Sequence, residues 1–310
     1  MKYIPNLKNY KNEKSCVVTI GKFDGLHTGH QLLINEVRRL AKEEQLCSVV
    51  CAMEFSVFWE EKNRKPELLM TSTERIKKLQ GKVDYLVEAV FDHEFMELSG
   101  FEFICKYIQE ILHAKYVVVG EDFRFGYKKA GDILLLQKLE KKYGYKTIVI
   151  PKKTYGNKDI SSSYIKELIK EGKIEKANEL LGYQYSYEGR VRKGNQIGRT
   201  IGFPTLNLYP EKFKIIPRKG VYYTEVMLEH KCFQSLTNIG KKPTIEQEGD
   251  IVIESYLFDY QGNAYGKEIS VALQSFRRKE QKFVSIEEMK IQIENDRQGA
   301  KSYFSKMTLQ

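Results

Sequence analysis

The chain has 310 residues, 42% of them hydrophobic and 30% charged, which is apolar material for about two packed domains. Lys and Arg outnumber Asp and Glu by 51 to 41, a net +10 that suits nucleic acid, an anionic surface or phosphorylated small molecules. No apolar run nears the roughly 18–20 residues that cross a bilayer, and MKYIPNLKNYKNEK has no apolar stretch behind its lysines, so neither a membrane protein nor a secretory signal is expected. Cys16, Cys47, Cys51, Cys105 and Cys232 contain no C-x-x-C pair, so reduced thiols in the cytoplasm are expected and a zinc site is not.

From residue 16 to about 150, short β-rich runs alternate with helical stretches. CVVTIG (16–21), CSVVCAM (47–53), VDYLVEAV (83–90), KYVVVG (115–120) and YKTIVI (145–150) read as strands. HQLLINEVRRLAKEE and FEFICKYIQEIL carry apolar residues at three- and four-residue spacing and read as helices between them. That alternation predicts βαβ crossovers and a mostly parallel, Rossmann-like sheet. Two more helices are predicted over 161–181, capped by the Ser161–Ser163 hydroxyls and stopped at Gly182, and the domain boundary is placed there, 1–182 against 183–310. Beyond it YSYEGRVRK, FPTLNLY, GVYYTEVML, CFQSLTNIG, IVIESYLFDY and KEISVALQSF follow one another without a helix-length insert. They predict an antiparallel barrel or sandwich closed by a helix from about Ser285.

The string Gly21-Lys22-Phe23-Asp24-Gly25-Leu26-His27-Thr28-Gly29-His30 follows the first strand and leads into a helix. A Gly-rich strand-to-helix turn presents backbone N–H groups at the positive end of a helix dipole, and Gly29 admits a ligand close to the backbone. Imidazoles at i and i+3 there are suited to steadying charge on reacting phosphates. A lone histidine more often faces solvent, and His93, His113 and His230 are read that way.

In the β-rich half, Gly198-Arg199-Thr200-Ile201-Gly202-Phe203-Pro204-Thr205-Leu206-Asn207 offers glycines around a cation, so that backbone amides can reach phosphate. Thr205 and Asn207, two apart on a strand, project to one face as hard oxygen ligands suited to Mg2+. Glu254 interrupts the mostly apolar IVIESYLF, either as an outward strand residue or as a base aimed into a site.

G-x-F-D-G-x-H-x-G-H resembles the nucleotide-binding signature of nucleotidyltransferases, specifically of the bacterial bifunctional riboflavin kinase/FAD synthetases. Val119-Gly120-Glu121-Asp122-Phe123-Arg124-Phe125-Gly126 resembles that family's G-x-D-F-x-F-G loop, and Ile160-Ser161-Ser162-Ser163-Tyr164-Ile165-Lys166 its S-S-T-x-I-R motif, with Ser163 and Lys166 in place of threonine and arginine. Lysine lacks the bidentate fork of arginine and weakens phosphate contact there. G-F-P-T-x-N resembles the riboflavin kinase signature, and Glu254 matches that family's catalytic base, followed by Ser255 and Tyr256 where the family usually has Thr-His.

The resemblance spans about residues 16–304 and implies two ATP- and Mg2+-dependent steps, riboflavin to FMN in the β half and FMN to FAD in the α/β half. It implies Gly21, Phe23, Asp24, Gly25, Gly29, Asp122, Ser161, Ser162, Ser163 and Lys166 as nucleotide-binding residues around His27 and His30, and Asp122, Phe123 and Phe125 as lining a flavin or adenine pocket. For the kinase site it implies Gly198, Arg199, Gly202, Thr205 and Asn207. No nucleic acid or membrane partner is expected, and homo-oligomerisation is left open. The alternatives are a nucleotidyltransferase for another phosphorylated acceptor with a non-catalytic β half, and a basic nucleic-acid-binding protein.

Overall fold

The computed structural model describes residues 1–63, 65–194, 198, 201–241 and 251–308; Arg199 lies outside the described residues. The chain divides into two compact units, Met1–Ser162 and Ser163–Gln310.

The first unit holds strands β1 (Lys2–Ile4), β2 (Cys16–Gly21), β3 (Cys47–Glu54), β4 (Tyr85–Val90), β5 (Ala114–Gly120) and β6 (Lys146–Ile150) in one sheet of order β1-β4-β3-β2-β5-β6. Every pair is parallel, as the apolar runs predict. Helix α1 (Thr28–Glu43) returns the chain from β2 to β3, burying Val37, Leu40 and Ala41 against Val17 and Val118. Short helices α2 (Ser56–Glu61), α3 (Ser72–Leu79), α4 (His93–Glu97) and α5 (Gly100–Phe103) follow. The last continues as π-helical turns over Ile104–Ile111, and α6 (Ile133–Tyr143) precedes β6. Because the chain leaves β2 first toward β3 and later arrives at β5 on its other side, the order reverses at β2, and ligands in such sheets sit beyond the carboxyl ends of the strands at that reversal.

Helices α7 (Ser162–Glu171) and α8 (Ile174–Leu181) lead into the β-rich unit. They are predicted before the expected boundary, yet by contact they belong with the strands that follow. Asn178 on α8 donates to the Leu273 carbonyl (2.8 Å) and accepts from the Tyr185 N–H (2.8 Å), while the Arg218 N–H reaches the Ile169 carbonyl. A two-stranded hairpin, β7 (Thr154–Tyr155) and β8 (Lys158–Asp159), precedes them.

The unit's sheet has the order β10-β13-β12-β11-β14-β9, all antiparallel, with β9 (Ser186–Arg190), β10 (Leu206–Leu208), β11 (Gly220–Leu228), β12 (Lys231–Lys241), β13 (Ile251–Leu257) and β14 (Glu268–Arg278). A bridge from Arg192 to Asn207 brings its two ends together, so the sheet is a nearly closed barrel. Inside, Thr224, Ser235, Thr237 and Ser255 are fully buried and joined hydroxyl to hydroxyl at 2.7–2.8 Å. Helix α9 (Ile286–Thr308) packs Ala300 and Phe304 on the outer face, against Val221, Tyr223, Leu236 and Phe258.

Asp296 of α9, 1% exposed, anchors the helix by accepting from Arg278 Nε (2.8 Å) and Gln292 Nε2 (3.1 Å), with Arg277 3.5 Å away. Asp296→Ala removes these charge-assisted bonds and is expected to cost about 2 kcal/mol. Thermal unfolding checks this as a midpoint lowered by several degrees.

Candidate active sites

Beyond β2 the chain turns through Phe23 (φ 46°), Gly25 (φ 89°) and Leu26 (φ 42°). Gly25 takes the left-handed region without cost, whereas Phe and Leu held there store of order 1–3 kcal/mol each, so the surroundings must enforce the turn. Phe23 is fully buried. Asp24 Oδ1 accepts the N–H groups of Leu69 (2.8 Å) and Met70 (3.3 Å), Ser162 Oγ donates to the Asp24 carbonyl (2.8 Å), and Gln31 Nε2 donates to that of Leu26 (3.0 Å). Asp24 and Ser162, both expected to hold nucleotide, thus also shape the turn, and the serine motif meets the histidine motif there.

His27 caps α1, its Nδ1 accepting the His30 N–H at 3.3 Å, which leaves its proton on Nε2. The two rings stack at 3.7 Å and 18°, with Phe23 edge-on to His30 at 5.2 Å. Gly29 eases the stack: a Cβ there would stand 3.2 Å from the His27 ring, tighter than ordinary contact. Burial lowers the His27 pKa to about 4, and burial together with its neighbour drives His30 well below its usual value, so both rings are neutral at pH 7. His30 Nδ1 is buried without a hydrogen-bond partner among the described residues.

In the unfolded chain these rings take up protons near pH 6.5, and in the folded chain His27 does so only near 4, so folding becomes less favourable as pH falls between those values. The His27 contribution between pH 7 and 5 is about 2 kcal/mol. Urea unfolding at the two pH values is expected to show that loss in the wild type and a smaller one in His27→Gln.

The loop after β5, the strand beside β2, carries the Asp122–Phe125 segment. Asp122 is exposed and pairs with Lys152 (3.3 Å), which also holds Asp159 (2.9 Å). Phe125 is core: it packs 5.1 Å from Phe103, and a Cβ on Gly131 would stand 2.7 Å from its ring. Phe123, half-buried, stacks on Phe125 at 5.4 Å. Ser161 is half-buried beside Ser162; Ser163 (exposed) and Lys166 (half-buried) stand on α7 and count with the second unit.

In the barrel, Asn207 of β10 lies opposite Glu254 of β13, which lies opposite Asn238 of β12. Directly opposed residues share a face, so the three form one polar row. The same face carries Leu236 and Tyr223 under α9, so Glu254 points outward from the barrel, half-buried between two amides. Asn207 is buried, and a Cβ on Gly194 would come within 2.9 Å of its Oδ1. A Cβ on Gly198 would overlap the Phe203 carbonyl and reach Thr205 Cγ2 at 3.6 Å, which brings that glycine segment onto the start of β10. Gly202 turns with φ 90°, and Phe203 packs edge-on to Tyr256 at 5.3 Å.

Two residues given no role by the motifs join this site. Asn238 Nδ2 donates to Glu280 Oε1 at 3.2 Å, and Gly240 leaves the room for that carboxylate. An amide two residues before a glycine in β12 was the available signal for Asn238; nothing local marks Glu280. A separate basic hollow of about 490 Å3, lined by Arg38, Lys42, Ser48, Lys82 and Asp84 among others, sits at the opposite ends of the parallel strands and holds none of the expected residues.

One unit thus stacks two neutral imidazoles on a strand-to-helix turn, and the other sets a carboxylate between two asparagines on one face of the barrel. Such a pair of units is the architecture of a two-domain transferase, and comparison with known proteins names its class. A family model described as FAD synthetase matches residues 9–164, and one described as riboflavin kinase matches residues 181–304. The chain is 37% identical to the bifunctional riboflavin kinase/FMN adenylyltransferase of Haemophilus influenzae (94% of this chain, 95% of the relative). It is 35% identical to that of Escherichia coli K12 (98% of each). A crystal structure described as a macrolide-efflux protein from Streptococcus pneumoniae superposes with a TM-score of 0.87 at 28% identity, over 97% of this chain and 98% of that one.

The chain belongs to the bifunctional riboflavin kinase/FMN adenylyltransferase family, and it is a riboflavin kinase and FAD synthetase in one polypeptide.

Proposed function

We propose that the barrel makes FMN and the parallel-sheet unit converts it to FAD, with residues 1–182 serving adenylyl transfer and 183–310 phosphorylation. In the barrel, Glu254 accepts the proton of the ribityl 5′-hydroxyl as that oxygen attacks the γ-phosphorus of ATP, and ADP leaves. Gly198, Arg199 and Gly202 cradle the triphosphate. The Thr205 hydroxyl and Asn207 amide are hard donors that fit Mg2+, which, when bound, offsets phosphate charge. The described residues hold no cluster of three His, Cys, Asp or Glu, and a magnesium site completed by substrate phosphates needs none.

In the parallel-sheet unit the FMN phosphate, already an anionic oxygen, attacks the α-phosphorus of a second ATP and expels pyrophosphate, so no covalent enzyme intermediate forms. His27 and His30 donate neutral N–H groups to the phosphates from the α1 N-terminus, and Gly21, Gly25 and Gly29 keep the backbone open to them. Ser161–Ser163 and Lys166 hold the leaving end, Asp122 stands at the rim, and Phe123, backed by Phe125, offers a ring face to flavin or adenine.

The observation that carries this reading is the Asn207–Glu254–Asn238 row: it gives an otherwise ordinary strand carboxylate fixed polar neighbours and the glycine segment beside it. Five free cysteines, Cys51 buried with its pKa raised to about 12, support work in a reducing cytoplasm. The excess positive charge then serves triphosphates and needs no nucleic acid. Purified protein given riboflavin, ATP and Mg2+ is expected to yield FMN and then FAD on flavin chromatography. Pyrophosphate release from ATP and another phosphorylated acceptor, with flavin untouched, would support the alternative nucleotidyltransferase.

A further inference from the structure

Glu280 is an exposed carboxylate just past the end of β14, and no part of the proposed chemistry uses it. Its surroundings are nevertheless built. One rung of the barrel runs Asn207, Glu254, Asn238, Val221, Arg278 across five adjacent strands. From Arg278 the chain folds back across this rung, so that Glu280 Oε1 accepts the Asn238 Nδ2–H at 3.2 Å. A side chain on Gly240 would overlap the Glu280 carboxylate, so the glycine keeps its seat open. The turn is held at its root by Arg278, which donates through Nε to buried Asp296 (2.8 Å) and through Nη1 to the Lys279 carbonyl (3.2 Å).

An asparagine amide has two N–H donors on one end and one acceptor oxygen on the other, so a carboxylate fixed beside it decides which end faces where. Asn238 is the direct neighbour of Glu254, and the choice made at Glu280 sets the polar group that the base and an incoming hydroxyl meet.

We propose that Glu280 is a positioning residue of the phosphoryl-transfer site, acting through Asn238 to hold Glu254 and the riboflavin hydroxyl in one reacting geometry; this rests on Glu254 being the base. Misplacing a reacting group by an ångström costs up to about 100-fold in rate, and the effect falls on kcat, since neither Glu280 nor Asn238 is among the groups proposed to hold ATP.

The test is steady-state FMN formation by the full chain, with thermal unfolding as a check on the barrel. Glu280→Ala is expected to lower kcat by about 10–100-fold with the KM for ATP unchanged. Glu280→Gln, which still presents an acceptor, is expected to recover most of the loss. The double variant Glu280→Ala/Asn238→Ala is expected to be no slower than Asn238→Ala alone, because two residues acting as one unit do not add. An unchanged kcat in Glu280→Ala, or losses that multiply in the double variant, would overturn the proposal. Should the alanine variant not fold, Glu280→Asp withdraws the carboxylate by one methylene, and wild-type kcat in that variant would overturn it equally. Glu254→Gln measured in parallel separates the two readings: if it keeps FMN formation, the base assignment has failed; if it loses it, the result speaks to Glu280 alone.

Discussion

Glu254→Gln is expected to lower FMN formation from riboflavin by about 1,000-fold while supplied FMN is still converted to FAD at the wild-type rate. A positioned general base contributes about 10²–10⁴-fold, and the 5′-hydroxyl of riboflavin is a poor nucleophile until its proton has somewhere to go. The substitution keeps the shape of the side chain and its place between Asn207 and Asn238 in the row, so what it removes is the basic oxygen. Phosphoryl transfer draws most of its acceleration from positioning and charge neutralisation, the roles proposed for the glycine segment, Thr205 and Asn207, so a slow residual rate is expected rather than none. Flavin chromatography with riboflavin or FMN as the starting material reads both halves. A variant retaining a tenth or more of the kinase rate would remove Glu254 from the role of base and leave it as one more polar neighbour in the row.

Much of this was legible before any coordinates. Strands buried on both faces are continuous apolar runs, so CVVTIG was bounded to the residue and its parallel neighbours to within two. The motif put both histidines at the start of a helix, where the structure has them, and the i, i+3 spacing that carries them also lets their rings stack. β1 and the β7–β8 hairpin, with two or three residues to a strand and no motif on them, carry no period to detect and escaped notice.

Residue roles that depend on partners far along the chain were also hidden. Asp24 fastens Leu69 and Met70, Phe125 fills a space against Gly131 and Phe103, and Glu280 reaches Asn238 across 42 positions. A motif names the residues of a turn; it does not say that two of them sit at strained φ, or that burial empties both imidazoles of charge. The outward direction of Glu254 was equally open, because alternation fixes which residues share a face but not which face a terminal helix covers.

The neutrality of those imidazoles shapes the second expectation, that His30→Ala stops the pathway at FMN. A neutral imidazole still carries one N–H to donate, and an N–H aimed at developing phosphate charge is the kind of group whose removal costs about 10²–10³-fold. His30 has a buried ring nitrogen with no partner among the described residues, a cost to the folded chain that a ligand can relieve. Its ring also supports His27 through the 3.7 Å stack, so the alanine variant loses one donor and loosens the other. His30→Gln restores a donor without the stack and is expected to fall between alanine and wild type. Riboflavin, ATP and Mg2+ given to His30→Ala should accumulate FMN at the wild-type rate, with FAD formation down by about 100-fold or more. Equal loss of both products from a folded variant would mean that the two reactions are not housed in separate units. Undiminished FAD formation would mean that the stacked pair caps α1 and does nothing to phosphate.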